Sequence, residues 1–112
     1  MLIPEQGSII WLDFNPTRGK EQQGIRPALV FTPASYNKRV GLLIACPITN
    51  KSKGYQFEVR LPEKFSTQGV VLLDQIRAFD WKKRFIRSEG EKVPLSFLHE
   101  CSRIISALID IR

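Results

Sequence analysis

Short apolar or alternating runs separated by turn residues make up most of the chain, at Ser8 to Phe14, Ala28 to Phe31, Leu42 to Pro47, Phe57 to Leu61, Val70 to Ile76 and Phe79 to Ile86. Runs of this length and period predict β-strands, whose side chains alternate between the two faces of a sheet. The stretch Asn15-Pro16-Thr17-Arg18-Gly19-Lys20-Glu21-Gln22-Gln23-Gly24 is too polar and too rich in Gly and Pro for a buried element. It predicts an exposed loop after the first strand, and loops of that length are often functional. Thr32-Pro33 offers an N-cap followed by proline at the first helical position, predicting one short helical turn that ends near Asn37.

Towards the C-terminus the period changes. Leu98, Cys101, Ile104 or Ile105 and Leu108 recur at three- and four-residue spacing from a start near Pro94. That pattern describes an amphipathic helix of about four turns. Many short strands with one terminal helix predict a mainly β fold, a small barrel of strongly bent antiparallel strands that the helix caps, because so few residues bury a core only by curling the sheet on itself. Without repeats, low-complexity tracts or a shift in composition, residues 1–112 read as a single domain.

Charge adds a partner. Lys and Arg outnumber Asp and Glu by 17 to 11, a formal charge of +6, so the field outside the protein favours polyanions and nucleic acid is the first partner to consider. The start MLIPEQGSII has no basic segment followed by an apolar one, and no apolar run approaches the ~18 residues of a membrane span, which predicts a cytoplasmic protein. Cys46 and Cys101 lie far apart among apolar neighbours, in no C-x-x-C arrangement, and read as two buried free thiols. One histidine in the whole chain argues against a zinc site; His99 falls in the terminal helical segment and reads as a partly exposed helix residue, and no metal or cofactor is expected.

Cleaving RNA without a metal requires a base for the ribose 2'-hydroxyl proton, an acid for the leaving 5'-oxygen and donors that stabilise extra charge on phosphorus. With one histidine the usual imidazole pair is excluded, so such chemistry would fall to Arg, Thr, Glu, Asp or Tyr. Arg26 precedes Pro27, which restricts its backbone to extended conformations and holds the guanidinium at the head of a strand. That planar fork donates to two phosphate oxygens at once, although an ordinary surface salt bridge would use it equally. Thr49, just after the apolar strand ending at Pro47, places a hydroxyl for the same phosphate or for local backbone, and Glu21 in the polar loop is a candidate base or simply a solvated carboxylate.

The blocks around these residues, taken in order, are Gly7-Ser8-Ile9-Ile10-Trp11-Leu12-Asp13-Phe14-Asn15-Pro16, Gly19-Lys20-Glu21-Gln22-Gln23-Gly24-Ile25-Arg26-Pro27-Ala28-Leu29-Val30, Cys46-Pro47-Ile48-Thr49, Ser52-Lys53-Gly54-Tyr55-Gln56-Phe57-Glu58-Val59 and Gly69-Val70-Val71-Leu72-Leu73-Asp74-Gln75-Ile76-Arg77. With these blocks the chain resembles the MazF/PemK-type toxins of type II toxin–antitoxin systems, sequence-selective endoribonucleases also called mRNA interferases, over nearly its whole length. The resemblance implies an SH3-like barrel with a C-terminal helix, working as a homodimer that cuts single-stranded RNA to a 2',3'-cyclic phosphate and a free 5'-hydroxyl. It also implies a cognate antitoxin with an acidic, disordered tail. By position Arg26 and Thr49 match the family's catalytic pair and Glu21 an acidic loop position linked to activity. Some plasmid-borne members place a catalytic basic residue two positions before the acid matching Asp74; here that position is Leu72, and the assignment is not carried over.

For RNA binding, cations hold phosphates while selectivity comes from bases stacked on aromatics and read at their edges. Lys20, Gln22, Lys51 and Lys53 lie in the polar segments nearest the expected site, and Tyr55 or Phe57 would stack a base, Phe57 being also a core candidate. Asp74, Gln75 and Arg77 are candidates for contacting RNA or for bracing their strand. Trp11 and Trp81 read as core or dimer-interface residues. A related toxin family of similar fold poisons DNA gyrase without catalysis and relies on a C-terminal Trp; the segment Ile109-Asp110-Ile111-Arg112 has none, which makes gyrase poisoning the alternative rather than the expectation. An inactive RNA-binding barrel is a further rival, and the Arg26 and Thr49 pairing argues against it.

Overall fold

The computed structural model describes residues 2–111. Its strands are β1 (Ser8–Asp13), β2 (Ile25–Val30), β3 (Leu42–Thr49), β4 (Glu58–Arg60), β5 (Val70–Leu72), β6 (Arg77–Asp80) and β7 (Phe85–Lys92). They form one antiparallel sheet in the order β4-β5-β3-β2-β1-β7, with β6 also paired to β3. The two ends of that path, β4 and β7, do not pair with each other, so the expected mainly β fold is present as a sheet that is not closed. The α-helices among the described residues are α1 (Ala34–Val40), α2 (Trp81–Arg84) and α3 (Leu95–Leu108).

Strand alternation builds a core on each face. Ile9, Leu29, Cys46 and Ile48 turn to one side, where Leu98 and Cys101 of α3 cover them as the helical period predicted. Ile10, Leu12, Ala28, Val30, Leu43 and Ala45 turn to the other, closed over by Phe79 and Trp81. Each large apolar side chain so buried contributes about 1.5–3 kcal/mol relative to an exposed one. Cys46 and Cys101 are free and buried, and burial raises both thiols, that of Cys101 to about 12, so neither supplies a thiolate at neutral pH. Among the described residues no helix is long and apolar enough to cross a membrane.

The strand expected over Val70 to Ile76 is instead β5 followed by a 3-10 turn at Leu73–Gln75, and that expected over Phe79 to Ile86 is broken by α2. Trp81 explains the second break: its side chain belongs to the core, its indole N–H donates to the Asn37 carbonyl at 2.9 Å, and Arg84 one turn later donates to the carbonyls of Asp13 and Asn15. β7 extends to Lys92 through a polar stretch that carries no apolar period; pairing with β1 makes it a strand. The short internal helix is also longer than expected, and Pro33 rather than Thr32 is its N-cap. The Thr32 hydroxyl donates to Oδ1 of Asn37 at 2.6 Å and accepts from the Ile44 N–H, and the Asn37 amide donates to the carbonyls of Pro4 and Thr32, which is how a fully buried Asn is tolerated mid-helix.

Candidate nucleic-acid interface

The register of β2 on β3 pairs Ala28 with Pro47, Leu29 with Cys46 and Val30 with Ala45. The ladder ends at Ala28 and Pro47, and Arg26 and Thr49, each two residues beyond it on its own strand, both line one groove. Arg26 is half-buried, and its Nε donates to the Gln23 carbonyl at 2.6 Å, which orients the guanidinium and leaves its Nη donors free of hydrogen-bond partners among the described residues. Thr49 is 6% exposed; its hydroxyl accepts from the Lys51 N–H at 3.2 Å and keeps its own proton to donate. Its backbone is fixed from behind by Gly69, where a Cβ would stand 2.2 Å from the Thr49 carbonyl oxygen.

Arg26 and Thr49 open into a groove of about 610 Å³ that Glu21, Lys20, Gln22, Lys51, Lys53, Tyr55 and Gln75 also line. Asp74 and Arg77 stand apart, in a hollow of about 190 Å³ that shares Glu21, Gln22 and Gln75 with the groove. Neither ion pair among the described residues, Arg87 with Glu89 or Lys92 with Glu5, involves a groove residue, so no carboxylate among them lies within salt-bridge distance of Arg26 or the groove's lysines, although Glu21 and Glu58 share the groove with them.

Several expected RNA contacts are occupied by the protein itself. The Tyr55 hydroxyl donates to both carboxylate oxygens of Asp74, at 2.8 and 2.9 Å, and its ring meets Phe57 edge-on at 6.1 Å. Partial burial and the Asp74 carboxylate together raise the phenol to about 12, so it stays protonated and fixed in orientation. The Gln75 Oε1 accepts from the Gln22 N–H at 2.9 Å, tying the loop between β1 and β2 to the 3-10 turn, and Arg77 lies 4.5 Å over the Phe79 ring. Asp74, Gln75 and Arg77 are thus engaged in bracing contacts. Glu21 is exposed on the groove wall, its Oε2 accepting a long 3.4 Å bond from the Arg18 N–H.

Outside the groove, Trp81 is core, while Trp11 is half-buried, its indole N–H on Glu89 and the Arg87 guanidinium 4.4 Å above its ring. His99 is exposed on α3 and lines a different depression. Among the described residues no group of three His, Cys, Asp or Glu side chains is arranged to hold a metal ion. Two groove residues escaped sequence reasoning. The Gln23 carbonyl that orients Arg26 is a backbone acceptor and carries no sequence signal. Glu58, beside Tyr55 in the groove, reads in sequence as an ordinary polar position of an alternating strand.

Residues 5–109 match the family described as PemK-like, MazF-like toxin of type II toxin–antitoxin system. The chain is 42% identical to the endoribonuclease toxin MazF of Escherichia coli K12 over 92 residues, which cover 82% of each chain. In three dimensions it is similar to the crystal structure of MazF from Deinococcus radiodurans, with a TM-score of 0.88 and 40% identity over 99% of this chain and all of that one. A MazE–MazF crystal structure from the same organism matches with a TM-score of 0.85 and 41% identity, over 100% of both chains.

Proposed function

The chain belongs to the PemK-like, MazF-like toxins of type II toxin–antitoxin systems, and from that premise we propose that it is a sequence-selective endoribonuclease that cuts single-stranded RNA without a metal ion. The observation that carries the reading is the Arg26 guanidinium fork, oriented by a backbone carbonyl and lining one groove with Thr49, with no carboxylate of the described residues within salt-bridge distance of it.

In that groove the Nη donors of Arg26 take two non-bridging oxygens of the scissile phosphate, and the Thr49 hydroxyl donates to the same group. A guanidinium is too weak an acid to be chiefly a proton donor, so Arg26 acts by stabilising charge on phosphorus. Glu58 and Asp74 already accept hydrogen bonds on both carboxylate oxygens, which leaves Glu21 as the base that takes the 2'-proton. The 2'-oxygen then bonds to phosphorus, the bond to the 5'-oxygen breaks, and that oxygen takes a proton from water. The products are a 2',3'-cyclic phosphate and a 5'-hydroxyl. The same reading includes a homodimer and a cognate antitoxin, for whose acidic tail a protein of charge +6 is a suitable surface.

The test is to incubate the protein with long single-stranded RNA in EDTA and map cut sites and end chemistry. Recurrent cuts at one short motif, with 5'-hydroxyl ends, are expected; intact RNA across several unrelated long transcripts refutes the proposal, and DNA supercoiling would then be assayed.

Lys20, Lys51 and Lys53 provide a graded check. Replacing all three by alanine is expected to reduce the slope of log affinity against log salt by about 2, since each single-strand phosphate contact contributes about 0.7. Cleavage at saturating RNA survives, and an unchanged slope in binding titrations removes these lysines from the interface.

A further inference from the structure

Residues 51–56 are exposed, carry no regular secondary structure through Gly54 and hold two lysines, a serine and a glycine, a composition that leaves a chain segment free to move. Ordering such a segment costs about 1–2 kcal/mol of backbone entropy per residue. One side chain opposes that cost. The Glu58 carboxylate accepts from the Ser52 hydroxyl at 2.7 Å, from the Lys53 N–H at 2.9 Å and from the Gly54 N–H at 3.0 Å, while the Glu58 N–H donates to the Tyr55 carbonyl at 3.2 Å. Gly54 makes the tight approach possible with a φ of 72°.

The carboxylate therefore closes a ring on its own loop from both ends. These bonds and the charge of Arg60 outweigh partial desolvation and hold Glu58 below the usual carboxylate range, so it is ionised at neutral pH. Its lone pairs face the loop donors, which makes it neither a proton acceptor for substrate nor a phosphate ligand. What it fixes is part of the groove wall: Lys53 and Tyr55 both line the groove, and Tyr55 is held a second time by Asp74. Cations on mobile loops still attract phosphate, but reading a base requires donors and a ring that do not move.

We propose that Glu58 is a specificity-determining positioning residue, whose carboxylate holds Ser52 to Tyr55 as the rigid wall on which a base near the cleaved phosphate is read. The inference rests on the endoribonuclease reading of the groove. Glu58→Gln keeps the shape but turns an NH2 group towards N–H donors, and bonds to a charged acceptor are the strong ones.

With long RNA carrying the preferred cut site and single-base variants of it, Glu58→Gln is expected to raise KM about tenfold, to lower discrimination among the sites about tenfold and to lower kcat by less than about threefold. Ser52→Ala, which removes one of the three donors, moves the same quantities the same way by less, and serves if Glu58→Gln does not fold. Amide exchange at Lys53 and Gly54 accelerates in both variants. Accelerated exchange with unchanged discrimination overturns the proposal, because the ring would then be structural only. A hundredfold loss of kcat with discrimination intact overturns it too, in favour of a catalytic role. If the wild-type protein cuts no RNA, the enzymatic reading fails by itself; fluorescence anisotropy with the same oligonucleotides then compares binding selectivity, and equal selectivity in wild type and Glu58→Gln overturns the role of Glu58.

Discussion

Replacing Arg26 by alanine is expected to lower kcat/KM for RNA cleavage by about a thousandfold or more, with the fold intact. Removing a single donor to a developing oxyanion costs about 10²–10³ in rate, and Arg26 presents a fork of several donors with a full charge. The loss should appear mainly in kcat, because the phosphorane-like state carries more charge on its equatorial oxygens than the ground state does. Stability should change little, since the visible tie of the side chain is one solvent-exposed hydrogen bond, to the Gln23 carbonyl. Arg26→Lys keeps the charge but not the fork, so it should recover only a small part of the lost rate. Single-turnover cleavage beside thermal unfolding checks both variants, and a drop below tenfold in Arg26→Ala removes Arg26 from the chemistry.

Why Arg26 was legible in sequence and its orientation was not is a matter of what side chains encode. Pro27 restricts Arg26 to extended backbone, and the apolar runs of β2 and β3 announce strands, so the residue and its place at a strand head follow from the chain alone. That Arg26 and Thr49 share a groove depends on which strands pair, a long-range choice. The Gln23 carbonyl and the amide groups of Gln22, Lys53 and Gly54 are backbone groups present at every position, and only the folded loops give them partners.

The same distinction separates the helices. α3 has a clear three- and four-residue period and appears where expected, whereas α2 sits inside what reads as a strand because Trp81 finds core on one side and the Asn37 carbonyl on the other. β7 beyond Ile86 is polar enough to look like loop, and pairing with β1 overrides that local preference. Asp74, Gln75 and Arg77 were expected either at RNA or in bracing roles; each makes a contact within the protein, and only the structure reveals those partners.

Gly69→Ala is expected to cause the largest loss of stability of any single-methyl change in the site, and to disable the groove with it. Gly69 has a φ of 120°, and an added Cβ would meet the Thr49 carbonyl oxygen at 2.2 Å, its carbon at 2.7 Å and the Asn50 Cα at 3.0 Å. All three contacts are backbone, so no rotamer relieves them; β3 and β5 must separate where Thr49 pairs with Val70. Strained φ costs about 1–3 kcal/mol and overpacking about 1–3 more. Against a typical total of 5–15 kcal/mol, this lowers the melting temperature by roughly 10–25 °C for a domain of this size. Gly41→Ala separates the two contributions, because Gly41 also has positive φ, 81°, while a Cβ there meets nothing within 4 Å. Thermal melts should place Gly69→Ala well below Gly41→Ala, and cleavage measured far below both transitions should fall in Gly69→Ala alone as Thr49 is displaced from Arg26. Equal melts and equal activity for the two variants would show that the close approach of Gly69 to Thr49 does not position the site.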